Sequence, residues 1–370
     1  MSKLIDEGGF GCIFYPGIEC DGNESKNSKY VSKLHKKNYH TVNEYNIGKK
    51  VTSIPLYQYY FAPVVNMCNI DIAKIDKKER DMCRVITREK NTSKFVIMKL
   101  PYIKNISLIN YITNPSIEKK EIIAYIFDSY KFLLNSLTML NESGIVHFDF
   151  KIPNILIESK TKTPIIIDFG LSIPIGKLNP STYSKYFYAY NASYYIWSID
   201  IHIINYVTNV NSVLPYDELV LLVNTSVATN PALQIYSQDF IKKYKEISIK
   251  TYEKYTKMAA VDIVNELVKN NNTWDNYSLS VMFLCLIHFI SLNGIINNSL
   301  IKEFSEILIL NIHPNCKKRL SFNETKKRYD KLFSSNVSVE KYKSILNNLN
   351  KKTFADNIIK VSSEQDIQSK

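Results

Sequence analysis

The sequence predicts an α+β protein with a small β-rich N-terminal part and a larger, mainly α-helical C-terminal part, and three observations carry that prediction. First, short runs rich in β-branched and aromatic residues fall in the first hundred residues: Leu4–Phe14 around a glycine turn, Tyr30–Leu34, Phe61–Cys68 and Phe95–Leu100. Second, Ile122, Ile126, Tyr130, Leu133, Leu137 and Leu140 recur at helical spacing between about Ile117 and Glu142, and Ser143-Gly144 ends that helix. Third, the apolar run from Leu279 to Ile296 is interrupted by His288, Ser291 and Asn293 and is short for a bilayer span, so it reads as a buried helix. With 370 residues and 45% hydrophobic content the chain can bury one large core or two unequal lobes.

Composition removes several classes of function. The N-terminus runs from Met1 to Ile5 straight into a glycine turn with no apolar h-region, so the chain is expected to stay inside a cell, in the cytoplasm. The six cysteines, 12, 20, 68, 83, 285 and 316, form no C-x-x-C pair and match no histidine spacing. Neither a zinc site nor a disulfide framework is expected, and reduced thiols are the default. The net charge of +12 is spread along the chain rather than massed in one block, which describes a solvated basic surface; a nucleic-acid partner is not expected. The charge suits acidic protein targets.

The stretch from Ile145 to Gly170 carries the chemistry. Ile155-Leu156-Ile157 and Ile165-Ile166-Ile167 read as strands, and each lies beside a polar cluster: Asp149 ahead of the first, Asp168 just after the second. One carboxylate free of metal can orient a nucleophile while another holds a divalent cation, with the carboxamide of Asn154 as a neutral oxygen ligand. Lys151, two residues after Asp149, supplies positive charge for a phosphate.

His147-x-Asp149-x-Lys151-x-x-Asn154 followed by Asp168-Phe169-Gly170 resembles the catalytic and metal-binding loops of the eukaryotic-type protein kinases. The resemblance implies a bilobal protein-kinase-like fold over residues 1–333, with an N-lobe to about residue 98 and a C-lobe from about 103. It also implies transfer of the γ-phosphate of Mg-ATP to a serine or threonine hydroxyl of a protein substrate. Asp149 and Lys151 would be catalytic, and Asn154 and Asp168 would hold Mg²⁺ or Mn²⁺. The nucleotide would meet Gly8, Gly9, Gly11, Ile13, Val31, Lys33, Glu44, Met98 and Leu156. Within that set, Lys33 is preferred over Lys36 and Lys37 because it lies inside the apolar alternation of its strand. Glu44 is its partner by exclusion, as the only acidic residue between Lys33 and Asp71. Met98 borders the adenine or is a plain core methionine. The abundance of Ile, Asn, Lys and Tyr is similar to that of kinases encoded by large DNA viruses, which would put the protein in host cytoplasm or virion.

Further residues extend the resemblance. Asp200 in Trp197-Ser198-Ile199-Asp200 takes the part of a glutamate whose partner would be Arg319, and Ser193, seven residues earlier, either sits where such kinases place a hydroxyl touching the catalytic aspartate or is a solvent-exposed serine. Asp275 in Asp275-Asn276-Tyr277-Ser278 would accept backbone amides of the catalytic loop. That assignment leaves a helical insertion at about 201–274, open either to packing on the larger part or to docking a partner. Residues 334–370 read as a short helix with Val339, Tyr342, Ile345, Leu346 and Leu349, then a polar tail ending Ser362-Ser363-Glu364-Gln365-Asp366 whose last residues are expected to be disordered. Between the strands at 61–68 and 95–100 a charged hairpin is expected at Lys77–Arg80.

Four positions depart from the family. Asp6 stands in the first glycine's place, Gly48 replaces an apolar residue that would stack towards Phe169 and so implies a loosely seated helix, Phe148 replaces an arginine, and Asp200 a glutamate. Without that arginine, activity is not expected to depend on phosphorylation of the 171–199 segment. The same departures nourish the alternative reading, a pseudokinase that binds partners and catalyses nothing.

Overall fold

The computed structural model of the chain describes residues 2–8, 11–87, 93–291, 299–333 and 350–368. It is α+β, with a small antiparallel sheet near the N-terminus and a mostly helical remainder. In chain order the strands are β1 (Lys3–Gly8), β2 (Gly11–Tyr15), β3 (Tyr30–Lys36), β4 (Asn66–Ile70), β5 (Phe95–Pro101), β6 (Asn105–Ile106), β7 (Ile145–Val146), β8 (Ile155–Glu158), β9 (Pro164–Ile166) and β10 (Ile173–Pro174). The helices are α1 (Tyr39–Thr52), α2 (Lys77–Met82), α3 (Arg84–Thr87), α4 (Leu108–Thr113), α5 (Lys119–Glu142), α6 (Tyr183–Tyr186), α7 (Ile199–Asn209), α8 (Tyr216–Thr229), α9 (Gln238–Tyr252), α10 (Ala260–Leu267), α11 (Trp274–Ser291), α12 (Ser299–Asn311), α13 (Phe322–Leu332) and α14 (Lys351–Gln368).

Contacts divide the chain into two compact units, one made of residues 1–106 and 154–173 and the other of residues 107–153 and 174–369. In the first unit five strands form one sheet in the order β1-β2-β3-β5-β4, and β6-β8-β9 form a second. β3 is central: it pairs with β5 over its whole length, Lys33 opposite Met98, and with β2, Lys33 opposite Ile13. One face buries Cys12, Phe14, Leu34, Ile70, Cys83, Phe95 and Ile97 as a continuous apolar cluster. That burial drives the sheet together.

Two expectations fail in this unit. Lys77–Arg80 form no hairpin but helix α2, which Asp76 caps by accepting from the amides of Lys78 and Glu79; α3 follows directly. That pair of helices carries Cys83 back to β2. Cys12 is accordingly bonded to Cys83, and Cys20 to Cys68, with Cα separations of 6.0 and 5.9 Å, overturning the expectation of reduced thiols throughout. Spacing gave no sign of the bridges, because partners 71 and 48 residues apart are brought together only by the sheet register. Cys285 and Cys316 are buried and take part in no disulfide.

The second unit is built on α5, whose buried face includes Ile122, Ile126, Tyr130, Leu133, Leu137 and Leu140, and on α11, buried on nearly every side. The insertion at 201–274 is helical and packs on this unit: Tyr244 and Tyr252 donate hydroxyl hydrogen bonds to the carbonyls of Ile312 (2.8 Å) and Pro314 (3.0 Å). The expected helix carrying Val339 to Leu349 lies outside the described residues. The polar tail is not disordered through residue 368 but forms α14, because Phe354, Ala355 and Ile358 share an apolar stripe and are buried. Among the described residues no helix is long and apolar enough to cross a membrane.

Candidate functional site

Two sets of the expected residues gather, one in each unit. In the first unit, β3 delivers Lys33 from the middle of the sheet, and α1, started by a capping box between Asn38 and Thr41, turns Glu44 inward. The Lys33 ammonium reaches Glu44 Oε1 at 3.0 Å, Glu44 Oε2 at 3.3 Å and Asp168 Oδ1 at 3.2 Å. Asp168 sits at φ +58°, a left-handed conformation that aspartate tolerates better than most residues, and the Gly170 amide donates to its Oδ1 at 3.3 Å. A side chain at Gly170 would crowd that oxygen, its Cβ lying 3.2 Å away.

Burial works against the charge of Lys33, but the carboxylates of Asp168 and Glu44 outweigh it and hold its pKa above the ordinary lysine value. Burial pushes the Glu44 carboxyl up, although Lys33 pulls it down. With both carboxylates ionised, the cluster carries one negative charge in excess of the single ammonium. The excess sits where it is accessible, since the Asp168 side chain is 31% exposed while those of Lys33 and Glu44 are 8% and 3%. That donor set suits a hard divalent cation. Asn154 is buried at the end of a 3₁₀ turn, and its carbonyl accepts from the Ile167 amide at 3.0 Å, which ties it to the strand leading into Asp168.

The other residues expected to meet a nucleotide are placed as follows. Gly8 closes β1 opposite Gly11, and Gly9 lies outside the described residues. A Cβ on Gly11 would lie 2.8 Å from the Leu34 carbonyl oxygen, so glycine is what lets β2 approach β3. Ile13 is half-buried opposite Lys33, and Val31 is buried on β3 opposite Leu100. Met98 is fully buried against Val64 and Val96, a core residue. Leu156 is half-buried on β8 opposite Ile165. Asp6 is exposed, its carboxylate accepting from the Glu7 amide at 2.8 Å.

Gly48 does not loosen α1. A Cβ there would lie 2.0 Å from the carbonyl oxygen of Val64. The helix is therefore seated backbone against backbone, closer than any side chain permits, and Asn43 Nδ2 ties it further by donating to the Ser172 carbonyl at 2.9 Å. Phe61 takes up the contact with Phe169, edge to face at 6.2 Å.

In the second unit, the backbone amides of His147 and Phe148 donate to Asp275 at 2.7 and 2.9 Å, fixing the turn that presents Asp149. Burial pushes the Asp275 carboxyl up. Phe148, at φ +68°, packs with Phe187, Trp197 and Trp274, and the Trp197 indole donates to its carbonyl at 2.8 Å. An aromatic box thus surrounds Phe148. Lys151 Nζ lies 3.4 Å from Asp149 Oδ2. The hydroxyl that touches Asp149 is not that of Ser193, whose amide instead donates to Asn191 Oδ1 at 2.9 Å. It is that of Tyr194, which donates to Asp149 Oδ1 and accepts from Lys151 Nζ at 3.0 Å. Sequence reasoning missed this residue by one position in an aperiodic segment.

Asp200 and Arg319 meet at 2.8 Å, both fully buried side chains, and the Trp274 indole donates to the other Asp200 oxygen at 2.7 Å. Burial works to raise the Asp200 pKa, but the Arg319 guanidinium beside it prevails and lowers it. The pair holds α7 to the segment ahead of α13 and touches no candidate reacting group.

Compared with known proteins, the chain matches no family model and no curated protein.

Proposed function

We propose that this chain is a serine/threonine protein kinase with the bilobal kinase fold, transferring the γ-phosphate of Mg-ATP to a protein hydroxyl. The observation that carries the reading is the buried Lys33–Glu44–Asp168 cluster, in which one ammonium bridges two carboxylates drawn from distant parts of the sequence. A lysine held in this way is charged, immobile and directed, as gripping α and β phosphates requires. The excess negative charge beside it is what a divalent cation would neutralise.

In this reading Asp168 and Asn154 hold Mg²⁺ or Mn²⁺, which supplies charge neutralisation at the phosphates. Asp149 orients the acceptor hydroxyl and takes its proton late, and Lys151 stabilises charge on the moving phosphoryl group. The acceptor oxygen forms a bond to Pγ, the bond from Pγ to the bridging oxygen breaks, and ADP leaves. Phe148 and its aromatic neighbours hold the catalytic turn, which supports activity without segment phosphorylation. A place in host cytoplasm or virion requires a local oxidising supply for the two disulfides.

Binding of a fluorescent ATP analogue tests the nucleotide half of this reading. Affinity should rise with added Mg²⁺, Asp168→Asn should remove the Mg²⁺ dependence, and Lys33→Met should weaken binding about tenfold or more. Binding that ignores Mg²⁺ and both substitutions would contradict the proposal. Nucleotide binding with no transfer would instead favour the pseudokinase.

A further inference from the structure

Tyr194 belongs to no strand or helix, yet it is among the most constrained residues of its segment. It is 5% exposed, and its ring meets Trp197 edge to face at 4.8 Å and 81°. Trp197 is itself pinned by its hydrogen bond to the Phe148 carbonyl. The phenol is therefore aimed by the aromatic box around Phe148. Its single hydroxyl is used in both directions, donating to Asp149 and accepting from Lys151, so the three side chains close a triangle with the 3.4 Å contact between Lys151 and Asp149.

We propose that Tyr194 is a positioning residue for phosphoryl transfer, its hydroxyl fixing the Asp149 carboxylate and holding the Lys151 ammonium beside it. The inference rests on the kinase reading above and deepens it. A phenol at the end of a buried ring differs from a serine or threonine hydroxyl in reach and stiffness: it crosses the gap from the segment backbone to both charged groups, and its only soft motion is ring rotation, which Trp197 opposes. The neighbouring Ser193 meets the turn at Asn191 through its backbone amide. The ring fills a space in the protein while the oxygen does the positioning, so the two contributions can be separated by removing the oxygen alone.

Tyr194→Phe keeps the ring and removes the hydroxyl. It should lower kcat by about 10- to 100-fold, the range expected for losing hydrogen bonds to two charged groups, with the KM for ATP changed by less than about threefold. Ser193→Ala should stay within about twofold of wild type. Replacing Tyr194 with 4-aminophenylalanine, which returns a polar group to the same ring position, should recover part of the lost rate; a purely structural role predicts no recovery. Acylation of lysines followed by mass spectrometry reads the same inference without catalysis: Lys151 should be slow to label in the wild type and label at least about threefold faster in Tyr194→Phe, while Lys33 is unchanged. A wild type without transfer would sink the kinase reading, and the Lys151 labelling would still decide the positioning role. Unchanged Lys151 labelling in Tyr194→Phe would overturn it, as would full kcat in Tyr194→Phe or a loss in Ser193→Ala equal to that in Tyr194→Phe.

Discussion

Gly48→Ala sets two effects of opposite sign against each other. Helix propensity favours alanine over glycine in a helix interior by about 1 kcal/mol. Against it, the new methyl would start 2.0 Å from the Val64 carbonyl oxygen, 3.0 Å from its carbon and 3.3 Å from the Val64 nitrogen, all backbone atoms with no rotamer to yield. Reaching an ordinary contact of about 3.4 Å requires a shift of roughly 1.4 Å, and overpacking of that kind costs about 1–3 kcal/mol. A 2.0 Å start against backbone puts the cost toward the upper end of that range, so the clash wins by up to about 2 kcal/mol, which lowers the melting temperature of a chain of 370 residues by up to about 3 °C. Glu44 lies one turn earlier on α1, so the same shift would stretch its 3.0 Å contact with Lys33 past hydrogen-bonding distance. Mg-dependent nucleotide affinity should fall together with stability. The assay is thermal melting of wild type and Gly48→Ala, followed by nucleotide titration at a temperature where both are folded. A variant stabilised by about 1 kcal/mol with unchanged nucleotide affinity would refute the close seating of α1.

Two further outcomes follow from the buried groups. Alkylation of the denatured protein without reductant should modify two cysteines, Cys285 and Cys316, and with reductant all six; six without reductant would refute the bridges. From separations of 71 and 48 residues each bridge should contribute about 4 kcal/mol, less than the sum together because the smaller loop is nested in the larger, so reduction should lower the melting temperature markedly. Burial pushes His202 down to about 4. Between that value and an unfolded value of about 6.5 the unfolded chain binds the extra proton, so stability falls as pH falls through this window, by about 2 kcal/mol at pH 5 from this group. His202→Leu should flatten the slope of urea-unfolding free energy against pH between 7 and 5; an unchanged slope would contradict the neutral buried imidazole.

The parts of the candidate site legible in the sequence are those where chemistry and local pattern coincide. Lys33 could be chosen because strand alternation separates it from Lys36 and Lys37, and Glu44 because no other carboxylate lay within reach along the chain. Asp275 and the Asp200–Arg319 pair followed from motif spacing. What the sequence hid is set by packing between distant segments. Gly48 read as a missing side chain, and only the approach of Val64 shows that a side chain would be the defect. Tyr194 and Tyr195 are adjacent tyrosines in a stretch with no period, so nothing local says which one faces Asp149. The bridge from Cys12 to Cys83 depends on α2 and α3 standing where a hairpin was expected. The tail carried a readable signal, Phe354, Ala355 and Ile358 on one helical face, which its polar composition masked.

The proposed kinase activity is tested most directly by transfer of labelled γ-phosphate from ATP, with Mg²⁺ or Mn²⁺, to casein, a basic protein and the chain itself. The account predicts label on serine or threonine in the wild type, reduced about 10²- to 10⁴-fold in Asp149→Ala and also strongly reduced in Lys33→Ala. Label that persists in Asp149→Ala, or a wild type that binds nucleotide and transfers nothing to any acceptor, would contradict it.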